Sequence, residues 1–150
     1  VEIVEEWKPI VGFEGLYDIS SFGRVRSHDR MVKHRWGGPA IRRGKIRALN
    51  LDKDGYALVN LSVFGKVTTC KVHRIVAEHF LPKSTLPEIN HKDLNKSNND
   101  FRNLEWASHQ WNMAHAKANG KFAGRKWSPG RQERARMMRQ DAPGCARTHE

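Results

Sequence analysis

The residues best suited to chemistry lie in Pro87-Glu88-Ile89-Asn90-His91-Lys92-Asp93, then Asn95, Asn98, Asn99, Asn103-Leu104-Glu105-Trp106 and Asn112. An imidazole is the natural group to take a proton near neutral pH. Amide and carboxylate oxygens suit a hard divalent cation, with phosphate and water filling the remaining positions. Hydrolysis of a phosphodiester needs both a base that activates water and a cation that stabilises the pentacoordinate phosphate and leaving oxygen. His91 ends a predicted strand that contains Ile89, so it sits at a rigid edge, while the adjacent Asn90 points the other way. Asn112 falls on a predicted helix, about 100° around from Trp111, at the rim where helix meets hairpin. Asn103 can bond the backbone or the imidazole and so lock the ring.

Other residues of this stretch read as structural. Asparagine tolerates left-handed backbone and closes Asx-turns, so Asn95, Asn98 and Asn99 hold an irregular loop. His109 and His115, three positions either side of Asn112, partly share its face but are solvated in the simplest reading. His73 belongs to the base of a helix, Trp106 and Trp111 to the core, and Cys70 to a strand.

The elements that must position these groups follow from periodicity. From Trp7 to Leu61 short β-like runs are punctuated by glycines. Tyr56-Leu58-Asn60-Ser62 and Ala57-Val59-Leu61-Val63 take opposite faces of one strand. Phe64-Gly65-Lys66 turns the chain, and Val67 to Val72 returns beside it. Val72, Ile75, Val76 and Phe80 repeat as one face of a short helix that Pro82 stops. Lys83 to Asn103 is polar and mostly loop. Ser108 caps a second helix running to about Asn119, with Ala107, Trp111, Ala114 and Ala118 as its expected buried stripe. Ser128-Pro129 opens a basic helix to about Gln140, and the last ten residues read as a frayed tail.

Charge points to the partner. The 150 residues carry 27 Lys and Arg against 16 Asp and Glu, a formal net charge of +11. Such a surface attracts a polyphosphate backbone and releases its condensed counterions. Two basic flanks stand out: Arg24 to Arg47, with Asp29 its one acid, and the chain from Lys117 onward. The residues expected to grip DNA are Arg24, Arg26, Arg42, Arg43, Lys45, Arg47, Lys96, Arg125 and Lys126. Cys70 and Cys145 form no CxxC pair, which excludes a cysteine-built zinc ribbon or finger. No apolar run reaches the length of a membrane span and no secretory leader pattern is present, so a cytoplasmic protein, bacterial or in a phage-infected cell, is expected.

The segment from about Lys71 to Ala116 resembles the HNH nuclease motif, in the subgroup found in phage intron-encoded homing nucleases. The resemblance rests on Val72-His73-Arg74, Asn90-His91, Asp93-Leu94-Asn95-Lys96-Ser97-Asn98-Asn99, Asn103-Leu104-Glu105-Trp106 and Asn112. Residues Glu6 to Ile10 and Gly12 to Ser27 resemble the small DNA-binding module often joined to such nucleases. The resemblance implies that His91 is the general base, that Asn90 and Asn112 hold the metal, and that Asn103 positions His91. Many relatives carry Asp where Asn90 stands and His where Asn112 stands. Two neutral amides hold a cation poorly, so substrate phosphate is expected to complete the site.

The expectation is therefore an α+β protein with a ββα-metal (His-Me finger) nuclease core. Its parts are an N-terminal antiparallel β module (1–66), the nuclease core (67–119) and a basic, helical, partly disordered C-terminal extension (120–150). It would hydrolyse double-stranded DNA with one Mg²⁺ or Mn²⁺ per site and no small-molecule cofactor or membrane partner. The rival is a non-catalytic DNA-binding protein, a regulator or packaging accessory, that keeps the scaffold; an RNA-directed nuclease stands third. Retention of both His91 and Asn112 favours the enzyme. Oligomeric state is left open.

Overall fold

The computed structural model describes residues 4–121. The helix expected at 128–140, the tail with Cys145, and Arg125 and Lys126 lie outside the described residues. Residues 4–115 belong to one compact unit, and residues 116–121 group separately.

Among the described residues, short strands and turns make four small antiparallel sheets. Strands β1 (Trp7–Pro9), β2 (Tyr17–Ser20) and β3 (Val25–Ser27) form a meander in that order. A hairpin follows from β4 (Arg30–Lys33) and β5 (Pro39–Arg42), which among the described residues pair only with each other as a two-stranded sheet. Strands β6 (Asn50–Leu51), β7 (Ala57–Val63) and β8 (Lys66–Lys71) form the third sheet. Helix α1 (Val72–Phe80) leaves β8 directly. The last sheet pairs β9 (Glu88–His91) with β10 (Leu104–Ala107), and α2 (His109–Ala118) follows.

Alternation along β7 sends Ala57, Val59 and Leu61 inward. They join Ile10, Tyr17, Ile19 and Val25 from the N-terminal meander, Val72, Ile75 and Val76 from α1, and Leu104 from β10 in one core. Each fully buried aliphatic or aromatic side chain there contributes about 1.5–3 kcal/mol relative to an exposed one. The Phe64–Gly65 turn has φ of 47° and 80°, the doubly left-handed geometry that matches strand twist in a two-residue hairpin. Helix α1 ends where the backbone of Leu81 becomes extended ahead of Pro82. The hairpin, the first helix and its stop thus form where periodicity puts them.

Helix α2 and Trp106 depart from expectation. None of the residues in α2 is buried, and Trp111 is 57% exposed. The expected stripe offers one large side chain among alanines, too little apolar area to pull the helix inward; Ala107, its buried member, lies in β10. Trp106 is half-buried rather than central. The boundary expected at 66/67 falls inside β8, whose six residues pair with β7 from Leu58–Lys71 to Val63–Lys66.

The N-terminal meander also touches the Asn-rich loop. The backbone N–H of Phe101 donates to the carbonyl of Ser21 at 2.9 Å. Gly23, at φ 81°, lies so close that a Cβ there would stand 2.5 Å from the Asn99 Cβ, and glycine alone meets both demands.

Candidate functional site

The β9–β10 pairing sets the frame. Register places His91 opposite Leu104, Asn90 opposite Glu105, Ile89 opposite Trp106 and Glu88 opposite Ala107. Successive side chains alternate, so Glu88, Asn90 and Glu105 share one face while Ile89 and His91 take the other. His91 and Asn90, adjacent in sequence, are both buried, at 5% and 8% exposure.

On its face His91 meets two rings. Its imidazole centroid lies 5.2 Å from that of His73 in an edge-on arrangement and 6.0 Å from that of Tyr56. His73, in the first turn of α1, is itself 5.0 Å from Tyr56. Burial, with His91 as the next cause, pushes the His73 imidazole down to about 4. A neutral buried imidazole beside His91 adds shape and no charge at pH 7. Sequence reasoning placed His73 at the helix base but missed its contact with His91; a Val-His-Arg spacing gives no distance.

The folded state then resists protonation of His73 that the unfolded chain accepts near pH 6.5. The unfolded state binds more protons in that window, so stability rises with pH. Stability from this group is complete above about pH 6.5 and is lost as pH falls toward about 4. Thermal melts at pH 7 and pH 4.5 should show a smaller acid drop for His73→Gln than for the parent chain. An equal drop in both would remove His73 as the cause.

Asn103 acts through the backbone. Its Nδ2 donates to Asp93 Oδ1 and to the carbonyl of Asn98, each at 2.9 Å, and its Oδ1 accepts from the Asp93 N–H at 3.1 Å. Its carbonyl accepts from the Lys92 N–H at 2.9 Å. These bonds hold the turn that begins directly after His91. Asn95 Oδ1 accepts from Ser97 N–H, and Asn98 Nδ2 donates to Asp93 Oδ2, so the asparagines hold the loop as their chemistry suggests.

Asn90 and Asn112 meet carboxylates on the other face. Asn90 Nδ2 donates to Glu105 Oε1 at 2.8 Å, and Asn112 Nδ2 donates to Glu88 Oε2 at 2.7 Å. The Asn112 Oδ1 is shut off from solvent with no hydrogen-bond partner among the described residues. The Asn112 hydrogen bond, then that of His109, holds the Glu88 carboxyl below its usual range. The Asn90 hydrogen bond does the same for Glu105. Among the described residues no three His, Cys, Asp or Glu side chains gather as a cation site. An orphaned amide oxygen backed by ionised carboxylates nonetheless fits a hard cation, which takes oxygen ligands of either kind.

The basic residues divide. Arg42, Arg43, Lys45 and Arg47 line one cavity of about 270 Å³ with Ser27, His28 and Arg30. Arg43 pairs there with Asp29 at 2.7 Å, and the Arg47 Nε is buried without a partner among the described residues. Arg24 and Arg26 are instead engaged at home: Arg24 pairs with Glu5, Arg26 pairs with Asp18, and both lie over the Trp7 ring. Lys96 donates to the Asp54 carbonyl and covers Tyr56. Trp36, at the tip of the β4–β5 hairpin, is 84% exposed.

Comparison with known proteins agrees with this layout. The NUMOD4 motif matches residues 5–62, and the HNH endonuclease family matches residues 70–114. The chain is 37% identical over 117 residues to the DNA endonuclease I-HmuI of Bacillus phage SP01, covering 77% of this chain and 59% of that protein. It is 35% identical over 119 residues to the uncharacterized HNH endonuclease L245 of Acanthamoeba polyphaga mimivirus, covering 79% of this chain and 32% of the relative. A solved structure describing DNA binding and cleavage by the HNH homing endonuclease I-HmuI superposes with a TM-score of 0.64. It is 32% identical, and the match covers 89% of this chain and 68% of that one.

Proposed function

The chain belongs to the HNH homing endonuclease family, and from that premise we propose that it hydrolyses double-stranded DNA with one bound divalent cation, Mg²⁺ or Mn²⁺. The observation that carries the reading is the buried Oδ1 of Asn112, without a hydrogen-bond partner among the described residues, following the strand pair that holds Asn90 and His91. When bound, the cation supplies positive charge to the phosphate and leaving oxygen. Asn90 and Asn112 would hold it through their amide oxygens. His91 takes the proton of the attacking water at an imidazole nitrogen, as general base. The turn fixed by Asn103 keeps the His91 backbone in place while the Tyr56 and His73 rings limit its tilt. The N-terminal segment, about residues 1–66, grips the duplex, and the segment from 67 to 119 cuts it.

Supercoiled plasmid incubated with the chain, with Mg²⁺ or with EDTA, tests the reading. Nicked or linear product with Mg²⁺ alone is expected. Unchanged plasmid together with tight binding would leave a non-catalytic DNA binder.

The cavity of Arg42, Arg43, Lys45 and Arg47 suits backbone phosphate. Each phosphate contact adds a slope near 0.9 to the fall of log affinity with log salt. Arg42→Ala with Arg43→Ala should weaken binding to every duplex and make the slope shallower by about one to two. Fluorescence anisotropy across salt, on a cognate and a random duplex, reads this out. An unchanged slope on both would move the footprint elsewhere.

A further inference from the structure

We infer that Glu88 and Glu105 are positioning residues for the divalent cation, each placing a full negative charge one hydrogen bond behind a neutral amide ligand. The inference rests on the reading of Asn90 and Asn112 as the cation's protein ligands. Glu88 stands two residues before Asn90, and Glu105 lies opposite Asn90 in register, so the two carboxylates occupy one face of the β9–β10 pair.

The chemistry of the contacts sets the amides' orientation. An ionised carboxylate only accepts, so it fixes the NH₂ end of each asparagine and turns the carbonyl oxygen away. Glu105 Oε1 takes Asn90 Nδ2 at 2.8 Å, and Glu88 Oε2 takes Asn112 Nδ2 at 2.7 Å. Each carboxylate has a second, ring donor from the start of α2. The Trp111 Nε1–H reaches Glu105 Oε1 at 3.2 Å, and the His109 Nδ1–H reaches Glu88 Oε1 at 2.9 Å. Four groups thus hold two carboxylates, and the carboxylates hold two amides.

Glu88 is in ion-pair contact with the His109 ring, and Arg74 and Lys92 act on the two carboxylates from farther off. Among the described residues neither Glu88 nor Glu105 forms an ion pair with a lysine or arginine. The arrangement parallels a carboxylate behind a metal-bound histidine, where the outer group orients the ligand and makes it a better donor. An asparagine backed in this way carries part of the charge that an aspartate would place directly on the metal. The two neutral ligands are therefore less neutral in effect than the sequence alone implies.

The test is Mn²⁺ titration into the full chain on a short DNA duplex, with free ion counted by electron paramagnetic resonance. A His91→Ala background keeps the duplex intact. Glu88→Gln and Glu105→Gln keep the shape and remove the charge. Each should weaken Mn²⁺ binding about 10-fold, and the pair about 100-fold. Glu88→Asp, which keeps the charge, should bind better than Glu88→Gln. Melting temperature without metal should fall only slightly, as expected for two carboxylates that accept hydrogen bonds in the fold, and duplex affinity in EDTA should not fall. Mn²⁺ affinity equal to the parent's in the glutamine variants would overturn the inference. So would a loss that tracks melting temperature or duplex affinity, or an aspartate variant no better than the glutamine. No Mn²⁺ uptake by the parent would overturn the metal reading together with this one.

Discussion

Alanine in place of His91 should lower the rate of plasmid cleavage by about 10³-fold, within the 10²- to 10⁴-fold that a positioned base contributes. Duplex affinity should stay within about twofold of the parent, because the substitution removes no basic side chain that could grip phosphate. The separation follows from placement. His91 is buried at the end of β9 against His73 and Tyr56, while Arg42, Lys45 and Arg47 line a cavity of the N-terminal segment. A nicking assay on supercoiled plasmid, paired with anisotropy in EDTA, measures both numbers. Cleavage at the parent rate would remove His91 as the base. Loss of affinity in step with rate would make its role structural.

Asn112→Ala should cut activity by about 10²-fold or more, since the charge stabilisation that a metal supplies is worth several kcal/mol and 1.36 kcal/mol is tenfold in rate. Higher Mg²⁺ should restore part of it, because the remaining ligands and the phosphate still offer a weaker site. Asn112→Asp is a different experiment. Its new carboxylate would face Glu88 across what is now a 2.7 Å hydrogen bond. Two carboxylates that close share a proton until a cation arrives, so the variant should take up a proton when free and release it on binding metal. Asn90→Asp would meet Glu105 in the same way, at the 2.8 Å contact. In the free protein it should bind Mg²⁺ more tightly, at some cost in stability without metal. Rates for Asn112→Ala that are parental and indifferent to Mg²⁺ would exclude Asn112 from the metal site. Parent activity unchanged by EDTA would end the metal reading altogether.

What the sequence reveals and hides here follows from the range of each signal. Hairpin β7–β8 and helix α1 are written in local periodicity, the Gly65 turn and Pro82, so they are legible without any distant contact. The Asn90-His91 pair and Asn112 are legible because a family resemblance covers them. Glu88 and Glu105 are not. Their contact with the amides depends on the β9–β10 register, and the loop between those strands is irregular. Once the strands are paired, the alternation that puts Glu88 beside Asn90 is plain. His73 was hidden for the same reason, since its neighbour His91 lies 18 positions away across a strand and a loop. The α2 stripe misled because helical spacing says where apolar side chains point and not how much area they bury.

The β4–β5 hairpin has a consequence for how such a protein can acquire a new target. Among the described residues it pairs only within itself, and no residue from Arg26 to Tyr56 belongs to the core cluster. Its two ends come back together where Gly44 packs so tightly against Ser27 and His28 that a Cβ would stand 2.3 Å from the Ser27 carbonyl oxygen. The stretch His28 to Arg43 is therefore a cassette with a fixed hinge. Arg30 donates to the Tyr17 hydroxyl at 3.2 Å and His28 pairs with Asp18, so these two anchor the cassette; beyond them, substitutions, insertions or a graft from a relative can change its length, charge and exposed Trp36 without reaching Val59 or Val76. If this segment reads the duplex, drift in the preferred DNA sequence would run through it while β9 and β10 keep their register, so long as the glycine that closes the cassette is inherited with them.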